Sequence, residues 1–338
     1  MPKRFLGNIM TDTPTAPAGP YESGAASGVW SLAEALSYTK GGLWPTTGKN
    51  SIALIALGQH TSGPSFDNRV DTVNIATTGN STDFGNLSVA RISMNDSGSS
   101  RTRAIFAGGS KASNARSNVI DYFTISTAGN ATDFGNLAAA HQNGTSVSSS
   151  TRSVTCGGNE TSNVDRIQYV TIASTGNSTD FGNLLEVKSE IGSTSSPVRG
   201  LVFAQGSGGS DDIEYITIAT TGNSTDFGNM TVSVESPAGC SSNTRGMHCG
   251  GSGDSNAIGY VTIASTGNAA DFGDLTVGRG SISSTSSSTR GIVAGGWGTG
   301  VIDYFTISTT GNATDFGDMS SETQLLSACS SDHGGLAA

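Results

Sequence analysis

The stretch "STDFGNL" at residues 81–87 contains an Asp-Phe-Gly, the tripeptide whose aspartate holds magnesium in protein kinases. Close copies follow at Asp133, Asp180, Asp226, Asp271 and Asp315, one every 44 to 50 residues. Phosphoryl-transfer chemistry requires a single copy, a glycine-rich loop, a paired lysine and a catalytic loop, and the chain has none of these. A ring of six aspartates is a conceivable cation binder, but the dense clustering of ligands that calcium requires is missing, so no metal is expected. His60, His141, His248 and His333 are scattered, and no Cys or Ser is placed by sequence to act with one as a nucleophile. No catalytic residue and no cofactor is therefore assigned, and an enzyme is not expected. Cys240 and Cys249 fall where they would face each other across a hairpin, as small buried apolar residues.

Repetition on this scale points to architecture. Twelve residues before each repeated Phe (Phe84, Phe134, Phe181, Phe227, Phe272 and Phe316) stands Thr72, Tyr122, Tyr169, Tyr215, Tyr260 or Tyr304. Between them runs a stretch such as "IEYITIATTGNSTDFGNM": a β-branched and aromatic run, a Gly-Asn pair, and a second short run, which reads as a β-hairpin. A second hairpin precedes it, with runs such as "STRSVTCGG" and "STRGIVAGG" ending in a glycine pair. Each unit thus supplies four strands, expected in one repeat near Val234–Ser242 (a), Gly246–Gly251 (b), Ile258–Ile263 (c) and Ala270–Leu275 (d). Four-strand repeats of this length predict an all-β fold, a β-propeller. Residues 51–58 look like strand b with no strand a before them, and "ETQLLSACS" at 322–330 looks like strand a with no b after it. Joined, they complete one blade beside five uninterrupted ones, giving six blades and a closed ring without open edges. On this reading the Phe fills the gap between blades, the Gly allows a bend, and the Asp binds local backbone N–H groups.

Composition narrows the function classes. The 338 residues carry a net charge of −10 with only 13% charged residues, and no basic stripe suggests nucleic acid as a partner. No apolar run reaches the length of a signal-peptide core or a membrane span, so synthesis in a cytoplasm and no membrane insertion are expected. The Asn-x-Ser/Thr motifs at Asn80, Asn130, Asn177, Asn223 and Asn312 lie in the repeated turn and read as turn residues.

From each Phe to the next repeated Arg (Arg103, Arg152, Arg199, Arg245, Arg290) the distance is 18 or 19 residues, whereas from Arg to the next Tyr it shrinks from 19 to 14. Length variation therefore concentrates in the b–c loops. These share a face with the d–a connections, and variable loops over a rigid scaffold are where binding tends to reside. The candidate partner-binding residues are His60, Lys111, Asn114, Arg116 and Trp297, with Glu160, Asp211 and Asp212 nearby. The repeated Arg is expected to pair with carboxylates or backbone.

Residues 1–50 stand outside the repeat and form an arm, with 51–338 as the propeller domain. Pro and Gly at short intervals in "TDTPTAPAGPYESGAASG" predict extended chain. Ser31 and Glu34 are spaced as a helix-capping pair at the start of "SLAEALSYTK". Trp30, Leu32, Leu36, Leu43 and Trp44 are too apolar to remain in water, and read either as a strap across the propeller or, the sharper expectation, as an anchor that packs into another chain.

The order of a glycine pair after the second strand and an aromatic in the third resembles the kelch repeat over about residues 51–338, although Tyr and Phe here stand twelve residues apart and no Trp accompanies them. The segment "ASGVWSLAEALSYTKGGLWP" and the unit "YVTIASTGNxTDFG" resemble structural proteins of marine tailed phages, cyanophages especially. That resemblance implies a virion component, made in the host cytoplasm and present in several copies, joined to other virion proteins through residues 1–50. Its propeller would be displayed on head or tail for adhesion to the host. The alternative is a propeller that binds or hydrolyses glycans of the host surface.

Overall fold

The β-branched runs pair as antiparallel sheets of four strands, six times over. The computed structural model describes residues 3–6, 28–31, 33–34, 51–61, 65–94, 96–203 and 209–336. Contacts divide the chain into two compact units, Met1–Asn50 and Ser51–Ala338. The second unit is an all-β six-bladed propeller. Its first blade joins both ends of the unit: Ser327–Ser330 pairs with Ile52–Ala56, which pairs with Arg69–Asn74 and then Thr82–Asn86. The fifth blade is typical of the others, with strands a to d at Ala238–Ser241, Arg245–Cys249, Ala257–Thr262 and Ala270–Asp274. The a strands neighbour one another in a closed circle, the strand Ser327–Ser330 lying between Ser283–Ser286 and Asp96–Ser99. Val234 belongs to the end of a ten-residue d strand, Thr225–Val234, and not to the following a strand as expected. Cys240 sits opposite Met247, and Cys249 opposite Ala238, so the two cysteines are offset by two residue pairs and not directly facing.

The repeated tripeptide works through its glycine and its aromatic. Each Phe is buried, and its ring meets the Tyr twelve residues earlier edge-on at 6.0–6.1 Å in blades two to six. Phe84 and Phe272 also touch Phe123 and Phe305 of the following blade, at 5.8 and 5.3 Å, so the aromatic does fill the space between blades. The glycine is required because the next blade's c–d turn lies against it. A Cβ on Gly228 would fall 2.6 Å from the carbonyl of Gly267, and all six copies meet the same obstacle. The aspartates depart from expectation. Their side chains are exposed, and among the described residues they bind no backbone N–H. That task falls to the turn asparagine, whose Oδ1 accepts from the backbone N–H two residues past the neighbouring blade's Phe. Asn130 accepts in this way from Asn86, and Asn80 from Asp318.

The repeated Arg pairs with backbone. Each guanidinium stacks 4.5–4.7 Å from the Tyr of its own blade. Each also donates to carbonyls of the next blade, Arg199 to Ile263 and Ala264 for example. In the first blade Ile52 occupies the Arg position and Thr72 the Tyr position, so the stacked pair is replaced as a unit.

In the first unit, Lys3–Leu6 pairs antiparallel with Gly28–Ser31. The Ser31 N–H donates to the Glu34 carboxylate at 3.0 Å, and the Glu34 N–H to Ser31 Oγ at 3.3 Å, the two halves of a capping box. Trp30 stands in the second strand; Leu32, Leu36, Leu43 and Trp44 lie outside the described residues.

Ring closure by the last strand makes a specific demand. Leu326 is fully buried in a cluster with Ile55, Leu57 and Ile292, whereas Leu325 is half-exposed and held at φ 56°. Leu326→Ala is expected to cost about 2–5 kcal/mol, and Leu325→Ala markedly less, in urea unfolding. Equal losses would mean that the strand is seated differently.

Candidate functional site

Six short strands rich in serine surround the propeller axis, and their hydroxyls set the character of the space between them. Four residues before each repeated Arg stands a serine: Ser99, Ser148, Ser195, Ser241 and Ser286, with Ser330 in the first blade. Ser195 Oγ donates to Ser148 O at 2.9 Å, Ser241 to Ser195 O at 2.7 Å, and Ser286 to Ser241 O at 2.7 Å. Ser330 continues to Ser286 O at 2.5 Å, and Ser99 to Ser330 O at 2.6 Å. Serine suits this place because its short hydroxyl donates across to the next strand without filling the axis.

The sixth link is different. Ser99 O accepts from Nε2 of His333 at 3.1 Å, and the same nitrogen lies 3.2 Å from Ser148 Oγ. The Gly335 N–H donates to His333 Nδ1 at 3.0 Å, which places the ring proton on Nε2. His333 belongs to the last described segment, which crosses this end of the ring; the Gly334 N–H donates to Ser241 O at 3.1 Å. Neither Gly334 nor Gly335 has room for a Cβ against Ser242 and Ser148. The tail is thus the floor of the central channel. Ser148 and His333 are at the distance of a nucleophile and its base, but a protonated Nε2 cannot take a proton from that hydroxyl.

The opposite end is open. It is rimmed by the d–a connections, where Ser93, Asn143, Glu190, Ser236, Ser281 and Leu325 all have φ between 50° and 58°. Non-glycine residues adopt this conformation at some cost, and here backbone bonds hold them: Ser93 N–H to Leu325 O, Asn143 to Ser93, Glu190 to Asn143, Ser236 to Glu190, and Leu325 to Ser281, at 2.7–3.2 Å. Between rim and floor lies a cavity of about 350 Å³, lined mainly by serine and threonine with patches of Ile191, Ile282 and Cys329. Glu190 is its only carboxylate, raised above the usual range by burial and by the neighbouring Glu235. His333 is pushed down to about 4 by burial and is neutral at physiological pH.

The residues expected on the b–c face have varied surroundings. His60, in a short strand paired with Thr323–Gln324, is bound to Asp67 at 2.5 Å and pins its own loop. Arg116 reaches the next blade, donating to Asn159 O at 2.9 Å and to its Oδ1. Lys111 is half-buried in a two-residue strand, and Asn114 is exposed with φ 57°. Trp297 is 74% exposed. None of these lines the channel. The channel was marked in the sequence by the serine that never varies between repeats, a signal set aside in favour of the variable loops. Among the described residues no group of three or more His, Cys, Asp or Glu side chains is placed to hold a metal. The chain matches no protein family, and no curated protein matches it.

Two neutral imidazoles, His248 fully buried and His333 half-buried at the channel floor, tie stability to pH. His333 and His248 both titrate near 4 when folded, against 6.5 when free. Between those values the unfolded chain binds protons that the folded chain does not, so stability is complete above pH 6.5 and falls as pH drops toward 4. His333→Asn is expected to lower stability at pH 7.5 by about 1 kcal/mol through lost hydrogen bonds, and to flatten the loss between pH 6.5 and 4. Urea midpoints that fall in parallel for both proteins would contradict this.

Proposed function

We propose that the chain is a structural component of a tailed-phage virion that displays a kelch-like propeller for contact with the host surface. The observation that carries the display half of this reading is the sealed ring. Every blade junction is tied by backbone bonds, while loop length varies only on the face where the channel opens. Such a body presents a fixed platform with interchangeable loops. The exposed Trp297 on that face supports contact with a partner, since large aromatics supply much of the energy at interfaces. The virion half rests on the resemblance of residues 26–45 and of the repeat to cyanophage structural proteins. Residues 1–50 then join the particle, and the propeller is carried in several copies.

A second reading, a glycan-binding propeller, is favoured by one observation: the channel is lined by hydroxyls and opens on that same face. Hydrolysis is the weaker part of this alternative, because the one Ser–His contact on the axis has the wrong tautomer.

The two halves are tested separately. A truncated chain of residues 51–338 is expected to fold with the full-length melting transition yet fail to enter particles, as read by mass spectrometry of purified virions. Normal incorporation would overturn the anchoring role of the arm. Trp297→Ala is expected to leave incorporation intact and reduce adsorption to host cells, and unchanged adsorption would remove Trp297 from the contact.

A further inference from the structure

The central channel is a blind pocket with polar groups in surplus. We propose that it binds the terminal ring of a neutral sugar, inserted end-on from the rim of d–a connections. Three features of the cavity specify that class of ligand.

The first is unmet hydrogen bonding. Ser284 and Thr194 line the cavity and are only 8% and 5% exposed, yet their hydroxyls have no partner in the protein. Ser284 stands two residues before the ring serine Ser286, as Ser193 stands before Ser195. Ser193 Oγ crosses to Ser146 O at 2.8 Å, whereas the Ser284 hydroxyl crosses to nothing. An unsatisfied buried hydroxyl is costly, and a turn of the Ser284 side chain about χ1 toward the channel would give it a partner in what fills that space. A hydroxyl both donates and accepts, and the groups that match a wall of them from either role are other hydroxyls.

The second is charge. Among the cavity's lining residues there is no arginine or lysine, His333 is neutral, and Glu190 stands at the rim. An acidic sugar would bring its carboxylate past Glu190 without a cation to receive it, so selection is for neutral ligands. The third is shape. The tail residues His333–Gly335 close the floor, so a glycan chain cannot thread through and only a terminal residue enters. A volume of about 350 Å³ lies at the lower end of small-molecule sites and suits a single ring.

The inference deepens the host-contact reading and rests on it for the source of the sugar. Purified chain tests the site itself, so a failure of binding would leave particle assembly untouched. The probes are free D-glucose, D-galactose and D-mannose, with D-glucuronate as the acidic counterpart, followed by saturation-transfer NMR and titration. At least one neutral hexose is expected to bind with Kd on the order of 1 mM, and glucuronate not to bind. Ser284→Val is expected to weaken the hexose at least tenfold with an unchanged melting transition. Glu190→Gln is expected to keep hexose binding and still to leave glucuronate the weaker ligand, because the channel continues to lack a cation; glucuronate bound as tightly as hexose would contradict the charge argument. Should Ser284→Val perturb folding, Ser284→Ala gives the same comparison without added bulk. No transfer to any neutral hexose, equal affinity for glucuronate in the unaltered protein, or a crystal soaked in hexose that shows only water in the channel would each overturn the proposal.

Discussion

The propeller depends on one backbone interaction repeated six times. In each junction the turn glycine of one blade donates its N–H to the carbonyl of the preceding blade's Phe, and the N–H two residues later donates to the carbonyl two residues past that Phe, all at 2.7–2.9 Å. Gly129 and Ala131 bind Phe84 and Asn86 in this way, and Gly79 and Ser81 close the circle onto Phe316 and Asp318. The bonds form only if the two backbones touch, which is why no Cβ fits on the glycine of the tripeptide. The asparagine beside each bond adds a side-chain acceptor to the same seam. Neighbouring blades are therefore joined by main chain at their outer edges, and the aromatic is held where it must pack.

Behind this uniform seam the buried polar side chains vary, and in three junctions they form matched ion pairs. Seven residues after the Phe, Arg91, Lys188 and Arg279 enter the next blade and pair with Asp121, Glu214 and Asp303 at 2.6–2.9 Å. Where the acidic position is Gly259, the cation is replaced by Val234, and His248 fills the space beside the glycine. Such buried pairs contribute little net stability, but removing one partner strands a charge. At the first blade the acid stays without a cation: the position seven residues after Phe316 is Thr323, and Asp71 accepts instead from the Ser81 hydroxyl and the Ser320 N–H. The inner face follows a third rule: hydroxyl-to-carbonyl bonds around the axis, with His333 substituting for the sixth serine contact and holding the tail beneath the channel.

Much of this was legible in the sequence because the repeat displays the invariants side by side. The twelve-residue spacing from Tyr to Phe is the cross-strand aromatic pair, and the unmatched "SIALIALG" and "ETQLLSACS" identified the closing blade. The role of the tripeptide's Asp was misjudged because an Asp in a turn ordinarily binds local N–H groups, and here the adjacent Asn had already taken them. The channel was missed for a different reason. A serine between apolar residues in a strand reads as a solvated face, and only the circle of blades turns six such faces toward one axis. Nor does spacing show that residues 331–336 end beneath that axis, since the contact joins segments more than 180 residues apart.

The most direct measurement of the central claim is urea unfolding of Gly228→Ala beside Asp226→Ala, two neighbours in one tripeptide. Gly228→Ala places a methyl group against the Gly267 carbonyl and is expected to cost more than about 2 kcal/mol. Asp226 is exposed, and its replacement is expected to change stability by less than about 0.5 kcal/mol. A tolerated alanine at 228, or a loss at 226 as large as that at 228, would contradict a ring sealed by backbone contact.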